Sequence, residues 1–290
     1  MSSIRCRRDY ADDPTLEARI FALLDTWFVG IDERRRETAL IGGSWTHCST
    51  PFVVERDGRI VSHVGLLEMP FVVDGVRITM GGVHGVCTLE SERRRGHFRR
   101  IMEELLEYCD GRFETLELGT ENPEYYEPFG FRIVPEDRFH ARVDPVPGRA
   151  GFRPFDLAKA GELERLDGLL TERAPVSNRI GVVRELEVFK FSEGVDDLHY
   201  CEALDCFACF EREGSTLLLY DVVAREMPTL PELLGQLGGG IERVVFHFTP
   251  DRFDVETEPE RFRWDGDHYM VRGPFPIEGE RFMVPRSARH

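Results

Sequence analysis

The sequence lacks several features that would indicate a secreted, membrane-bound or nucleic-acid-binding protein. No apolar run approaches the roughly 20 residues needed to cross a bilayer, so no membrane partner is expected. Residues 1–13 are charged and contain no apolar stretch, so the cytoplasm is the expected location. Lysine and arginine number 37 against 53 aspartates and glutamates, which gives a formal net charge of −16. Because phosphate binding rewards clustered cations, no nucleic-acid partner is expected.

Cysteine is present in an odd number, seven, which does not indicate a disulfide framework in a chain of this length. Cys201, Cys206 and Cys209 have the C-x4-C-x2-C spacing of plant-type iron–sulfur proteins. That site requires a further cysteine downstream, and the sequence has none after Cys209. The segment is also typical of a strand with small buried thiols, so no metal is expected.

The length of 290 residues exceeds the usual size of one domain. The segment DPVPG at 144–148 is the best linker in the chain, because it concentrates proline and glycine between patterned segments. We therefore predict two domains, 1–146 and 147–290.

The pattern of the first half predicts a helix over 15–29 and then an antiparallel meander with hairpin turns at Asp57-Gly58 and Asp74-Gly75. A further helix starts near Gly96. It is followed by predicted strands at 113–118, 131–134 and 139–143. In the second half the predicted elements are helices at 157–172, 178–189 and 230–237 and strands at 203–212, 215–223, 243–248 and 269–271. Both halves share an order of elements. This predicts an α/β (α+β) fold in which a mixed, mostly antiparallel sheet flanked by helices is followed by an altered second copy.

Residues 83–100 combine three features that favour the binding of an anion. The strand that ends near Thr88 contains glycines, which leave room for a ligand against its backbone. The next helix begins near Gly96, and the first turn of a helix has unpaired N–H groups and a partial positive charge. Four arginines that can pair with phosphate oxygens flank this glycine: Arg93, Arg94, Arg95 and Arg99. The alternative is that the arginine run is a solvated charge cluster ahead of an ordinary helix.

A second motif, ENPEYYEPFGF, lies one helix and one strand downstream. Together the two motifs resemble those of the GNAT N-acetyltransferase superfamily. Arg93-x-x-Gly96-x-x matches most of its R/Q-x-x-G-x-G/A acyl-CoA signature. Tyr126-x-x-x-Gly130-Phe131 matches its tyrosine-plus-GF element.

The resemblance covers residues 15–143 and departs from the signature at Phe98, where the family usually has Gly or Ala. The two-part length is similar to that of the enhanced intracellular survival aminoglycoside acetyltransferases, which carry a second, degenerate GNAT-like unit. The resemblance therefore implies that 1–146 is a catalytic domain that binds acetyl-CoA and that 147–290 is a degenerate GNAT-like domain.

The resemblance also implies roles for individual residues, with acetyl-CoA as co-substrate. Tyr126 is expected to be the general acid, because a phenol is protonated at neutral pH and can protonate the departing thiolate. The general base is expected to be His84, or Glu121 acting through a water. The residues expected to bind acetyl-CoA are Val86, Cys87, Thr88, Arg93, Arg94, Arg95, Gly96, His97, Phe98 and Arg99.

The implied function is that of an N-acetyltransferase acting on a small-molecule or peptide amine. The acidic surface is compatible with a cationic acceptor such as an aminoglycoside or a polyamine. The second domain is expected to complete the acceptor pocket or a dimer surface. In the second case the protein is a homo-oligomer. Two alternatives also stay open. One is an acyl-CoA-binding sensor or pseudoenzyme without turnover, which Phe98 favours; the other is a structural protein without a CoA site.

Overall fold

Two mixed seven-stranded sheets flanked by helices make up the part of the chain that the computed structural model describes, residues 6–193 and 197–290. Residues 1–5, which belong to the charged start considered above, lie outside the described residues. The helices are α1 Leu16–Leu24, α2 Ile31–Leu40, α3 Trp45–Cys48, α4 His97–Cys109, α5 Glu162–Glu172, α6 Leu186–Glu193 and α7 Leu230–Gln236. The strands are β1 Ser49–Arg56, β2 Arg59–Val73, β3 Val76–Thr88, β4 Leu116–Thr120, β5 Arg132–Ile133, β6 Glu136–Arg142, β7 Phe152–Pro154, β8 Ile180–Val182, β9 Leu198–Cys201, β10 Cys206–Glu213, β11 Thr216–Val223, β12 Arg243–Phe246, β13 Glu258–Phe262 and β14 His268–Arg272.

The first sheet has the order β1-β2-β3-β4-β14-β5, with β8 paired to one end of β2. Its meander turns at Asp57-Gly58 and Asp74-Gly75, where all four residues have positive φ, between 49° and 76°. Two-residue turns of this kind match the twist of the paired strands, so the predicted hairpins are confirmed. The apolar face of α4 covers one side of this sheet, and α1 packs on the opposite side.

The second sheet has the order β13-β6-β12-β11-β10-β9-β7 and repeats part of the first. In both sheets two parallel strands are joined through a helix, β3 and β4 through α4 and β11 and β12 through α7. The parallel pairing covers four residue pairs in the second sheet but two in the first. The predicted α/β fold class is therefore confirmed. The parallel strands of the second sheet stay paired over a longer stretch than those of the first sheet.

The two sheets exchange strands across the predicted domain boundary. β6 precedes residue 146 but lies in the second sheet, between β12 and β13, because Phe139 and Ala141 pack in the core of that sheet. β8 and β14 follow the boundary but lie in the first sheet, where β14 is inserted between β4 and β5. The division into 1–146 and 147–290 stays a prediction about folding units, and each sheet contains residues from both segments.

The predicted helix over 178–189 is wrong in its first half. Residues 180–182 form β8, which pairs antiparallel with 71–73 of β2. The Ile180 N–H donates to Ser177 Oγ at 3.0 Å and so turns the chain into this strand. A short edge strand followed by α6 therefore satisfies the apolar pattern that the sequence alone assigned to one helix.

Candidate functional site

A notch opens between the parallel strands β3 and β4. Their pairing consists of Gly81 with Leu116 and Gly82 with Glu117, and the strands separate beyond these pairs. β3 stays paired with β2 on its other side, and β4 stays paired with β14. The backbone of β3 after Gly82 and of β4 after Glu117 therefore faces the notch, at the ends of both strands.

A β-bulge in β3 explains why the two strands separate. Gly85 and Val86 together lie opposite the single residue Val64 of β2. A bulge bends and twists the strand that contains the extra residue. Gly85 has a φ of 57°, a left-handed conformation that glycine adopts without the steric cost of a side chain. The bulge includes Val86 and leads directly into Cys87 and Thr88, so these predicted CoA-binding residues lie along the end of β3 that turns away from β4.

The start of α4 has the geometry of an anion site. Gly96 is the N-cap of the helix, with a φ of 80°, and no side chain caps this end. The Arg100 N–H donates to the Gly96 carbonyl at 3.1 Å, so the N–H groups of 97–99 precede the first backbone bond of the helix. Gly96 thus lies at the mouth of α4, as predicted, and not inside a continuous helix.

The cations of this loop are held in two different ways. Glu92 contacts both Arg95 Nε at 3.4 Å and His97 Nε2 at 3.3 Å. The Arg93 guanidinium instead lies 4.0 Å from the ring centre of Trp27, which follows α1. Arg94 has a φ of 61°, in the left-handed region. The loop therefore combines an acidic residue that contacts Arg95 and His97 with an aromatic residue that supports Arg93.

We expect Gly96→Ala to weaken acetyl-CoA binding by more than its effect on stability alone explains. A Cβ at Gly96 would meet no atom within 4 Å, but it would occupy the space at the helix mouth and force alanine into a left-handed conformation. That conformation costs about 1–2 kcal/mol. Gly111→Ala is the matched control, because Gly111 follows the same helix, has a φ of 69° and is equally open. Melting curves should show similar losses for both variants, whereas calorimetric titration should show weaker binding for Gly96→Ala alone; equal affinities would contradict an anion site at Gly96.

Tyr126 lies in the turn after β4 and packs against the first turn of α4. Its ring centre is 5.6 Å from that of Phe98 and 6.2 Å from that of Phe131. Burial raises the pKa of Tyr126 above its usual value, and the nearby Asp267 acts in the same direction. The phenol is therefore protonated at neutral pH. Phe98, which departs from the family signature, supports the tyrosine that the second motif predicts to be catalytic.

The two predicted bases lie elsewhere. His84 is on the face of the first sheet opposite α4, where its Nε2 is 2.8 Å from Ser49 Oγ and its ring lies 5.0 Å from Trp45. Burial lowers the pKa of His84 well below its usual value. Glu121 is exposed just beyond the end of β4. The structure thus brings together Gly96, Phe98 and Tyr126, and it places His84 on the other side of the sheet.

Sequence reasoning missed a buried polar pair at the closed end of the notch. Glu117, whose side chain is 4% exposed, has Oε1 3.2 Å from the Nε2 of His290. A Cβ on Gly82 would lie 2.5 Å from the His290 ring and 2.9 Å from Glu117 Oε1, so this glycine makes room for both. The available signal was a glutamate in an otherwise apolar strand, since a buried carboxylate is rare without a partner. The partner itself is 173 residues away in the sequence, counted from 117 to 290.

Residues 18–134 match the family model of the acetyltransferase (GNAT) domain. Together with the fold, this match identifies the segment that contains the notch as a GNAT acetyltransferase domain. Acetyl transfer is the chemistry of that family. Among curated protein sequences, none matches the chain.

Solved structures share the fold over most of the chain. A conserved protein of unknown function from Enterococcus faecalis V583, described as a probable N-acyltransferase, is 14% identical with a TM-score of 0.62, covering 94% of this chain and 72% of its own. Eis1 from Mycobacterium abscessus is 15% identical with a TM-score of 0.55, covering 92% and 73%. A GCN5-related N-acetyltransferase from Kribbella flavida is 17% identical with a TM-score of 0.52, covering 89% and 68%. The predicted likeness to two-domain GNAT proteins is confirmed, and at these identities it concerns the fold.

Two further predictions concern metals and membranes. Cys201 and Cys206 face each other across β9 and β10, whereas Cys209 is buried on the opposite face of the second sheet, in another core cluster. Within residues 6–193 and 197–290, no group of three or more metal-ligating side chains is found. Among the same residues, no helix has the length and apolar character required to span a bilayer.

Proposed function

We propose that the protein transfers the acetyl group of acetyl-CoA to the nitrogen of a primary amine. The observation that carries this proposal is the notch between β3 and β4, whose open end adjoins the uncapped start of α4. In the proposed complex the pantetheine arm lies in the notch, and its amide groups pair with the backbone of Val86 and Thr88 as an added strand would. The pyrophosphate then lies at the N–H groups of 97–99, with Arg93 and Arg94 nearby.

Tyr126 supplies the proton that the leaving thiolate needs. Its position beside Phe98 keeps it close to the helix mouth at which the CoA is proposed to bind. Protonation by a positioned group typically contributes about 10²–10⁴-fold to a rate. For the base, the family resemblance predicts His84 or Glu121. His84 would first have to release Ser49, and Glu121 would act through a water from its exposed position.

The acceptor is proposed to bind on the side of the notch that faces the second sheet. A cavity of about 290 Å³ lies there between β14 and β13, lined by Ile133, Phe262, Asp267 and Tyr269 among others. Asp267 helps to raise the pKa of Tyr126, and its carboxylate lies over Gly119 at the end of β4. Asp267 offers a carboxylate to an amine with an apolar body. Arg261 and Arg263 also line the cavity, where Arg261 is paired with Asp137 and Arg263 contacts His268. In this way the second half of the chain would complete the acceptor pocket.

The proposed function is tested by combining thermal melting with an amine screen. Acetyl-CoA should raise the melting temperature, because a ligand at 100 times its Kd stabilises the native state by about 2.7 kcal/mol. Release of free CoA thiol should then depend on one class of amine in a panel of aminoglycosides, polyamines and peptides. No melting shift at millimolar acetyl-CoA would contradict the proposal. A shift without thiol release from any amine would support the alternative of an acyl-CoA sensor.

A further inference from the structure

The Glu117 carboxyl group lies at the point where β3 and β4 separate. Glu117 is paired with Gly82, the last paired residue of β3 before the notch. An acyl group at the inner end of the notch would therefore lie beside this carboxyl group. Glu121, by contrast, lies beyond the open end of β4 and is exposed.

The second half of the chain holds His290 against Glu117 through the tail, residues 284–290. Arg286 pairs with Glu193, its Nε 3.0 Å from Oε1, and its guanidinium lies 3.6 Å from the ring centre of Tyr220. Ser287 donates a hydrogen bond to Asp221 of β11. The Ser192 hydroxyl donates to the Arg289 carbonyl at 2.7 Å. These contacts fix the backbone on both sides of Ala288 and so set the position of the His290 ring.

Several groups face Glu117 from the elements packed around it. His290 and Arg289 approach from the tail, Glu136 from β6, and Tyr269 from β14. His84 of β3 lies behind His290, with ring centres 6.1 Å apart. Arg289 is engaged by Glu136 at 2.6 Å. Of the lysine, arginine and histidine side chains among the described residues, His290 alone has a nitrogen within 4 Å of a Glu117 oxygen.

The protonation of the pair follows from its burial. Burial raises the pKa of Glu117 to about 8, with Arg289 acting against this and Glu136 adding to it. Burial also lowers the pKa of His290 to about 4. At pH 7 the pair is therefore mostly a neutral carboxylic acid beside a neutral imidazole. Glu117 Oε1 and His290 Nε2 lie 3.2 Å apart without a hydrogen bond between them, while Nδ1 lies 3.3 Å from the Ala288 carbonyl, to which it can donate.

We propose that Glu117 is the base that takes the proton from the acceptor amine and that His290 is the residue that positions it. This inference rests on the proposed acetyl transfer. As the amine nitrogen bonds to the acetyl carbon, its proton passes to the Glu117 carboxylate, directly or through one water. The carbon–sulfur bond then breaks, its electron pair stays on sulfur, and Tyr126 protonates the thiolate. Glu117 returns its proton to solvent and Tyr126 recovers one, so that protons balance over the cycle.

Glu117→Gln tests the base, because glutamine keeps the shape of the side chain but cannot accept the proton. With saturating acceptor, kcat of the wild type should rise with pH to a plateau above about pH 8, since only ionised Glu117 is active. Glu117→Gln should lower kcat about 10²–10⁴-fold and abolish this pH dependence, with the Kd for acetyl-CoA within twofold. Glu68→Gln is the matched control, because Glu68 is exposed on β2 opposite Gly81, and it should keep the wild-type profile.

Two variants of His290 distinguish positioning from a purely structural role. His290→Ala removes the ring that packs beside Glu117 and admits water to its carboxyl group, so burial raises the pKa of Glu117 less and the rising limb of the kcat–pH profile should shift to lower pH. His290→Leu refills this space and should restore the limb. A carbon-13 label on the glutamate carboxyl groups follows the titration of Glu117 by NMR without turnover. A Glu117 that titrates near its ordinary value would overturn the proposal.

The remaining outcomes separate this inference from the function on which it rests. If Glu117→Gln keeps the wild-type pH profile, or if Glu121→Gln removes the limb instead, the base assignment fails while acetyl transfer stands. If the wild type acetylates no amine, acetyl transfer fails and takes the base assignment with it. If Glu117→Gln is poorly folded by its melting curve, Glu117→Asp provides the same test, because its retracted carboxylate should lower kcat but keep a pH limb.

Discussion

Tyr126→Phe is expected to lower kcat about 10²–10⁴-fold while leaving the Kd for acetyl-CoA within twofold. Phenylalanine keeps the ring contacts with Phe98 and Phe131, so the packing at the start of α4 should persist. What is lost is the hydroxyl, which burial holds in its protonated state. Because the proposed mechanism requires that proton when the thiolate leaves, the loss should appear in kcat and not in binding. Stopped-flow detection of CoA thiol, with Kd by calorimetry, measures both quantities.

The neighbouring residue provides the control for this experiment. Tyr125→Phe removes the same hydroxyl from a side chain that is 59% exposed, so its kcat should match the wild type. An equal loss of kcat in both variants would mean that the structure of the turn, and not the Tyr126 hydroxyl, determines the rate. Full activity in Tyr126→Phe would exclude it as the general acid. The proton that the thiolate takes up would then have to come from solvent or from another residue at the notch.

The features that the sequence predicted well are set by local chemistry. The Asp-Gly turns specify their hairpins because consecutive residues must adopt positive φ, which few other dipeptides allow. The glycine at the mouth of α4 and the tyrosine turn after β4 are short motifs whose residues contact one another within about one helix and one strand. For that reason Gly96, Phe98 and Tyr126 were predicted as one site, and the structure places them together.

The features that the sequence missed depend on contacts between distant segments. α2 was not predicted, because its charged residues show little apolar periodicity and its neighbours α1 and α6 position it. β14 and β6 each lie in the sheet built mainly from the other half of the chain, and strand periodicity could not predict this because it reveals a buried face but not the partner strand. The contact between His290 and Glu117 likewise joins two distant segments of the chain. It depends on a tail held by the second sheet, and no spacing in the sequence records it.

A network of buried charged side chains holds the tail, residues 284–290, against the second sheet. Arg173, between α5 and β8, is buried with its side chain 1% exposed, and it bonds Asp221 of β11 at 2.5 Å and Glu185 at 3.0 Å. Asp221 also accepts the hydrogen bond from Ser287 of the tail. Buried ion pairs of this kind add little over apolar packing, but breaking one leaves an uncompensated charge.

Arg173→Met is therefore expected to lower the free energy of unfolding by about 3–5 kcal/mol, because two buried carboxylates lose their cation. In a chain of this size that corresponds to a fall in melting temperature of roughly 6–20 °C. Arg225→Met is the matched control, since Arg225 pairs with Glu172 and Asp205 with its side chain 48% exposed, and it should cost at most about 1 kcal/mol. Similar melting temperatures for the two variants would show that the buried network does not stabilise the fold. Because Asp221 joins this network to Ser287, Arg173→Met should also loosen the tail, and the kcat limb assigned to Glu117 should then shift in the same direction as in His290→Ala.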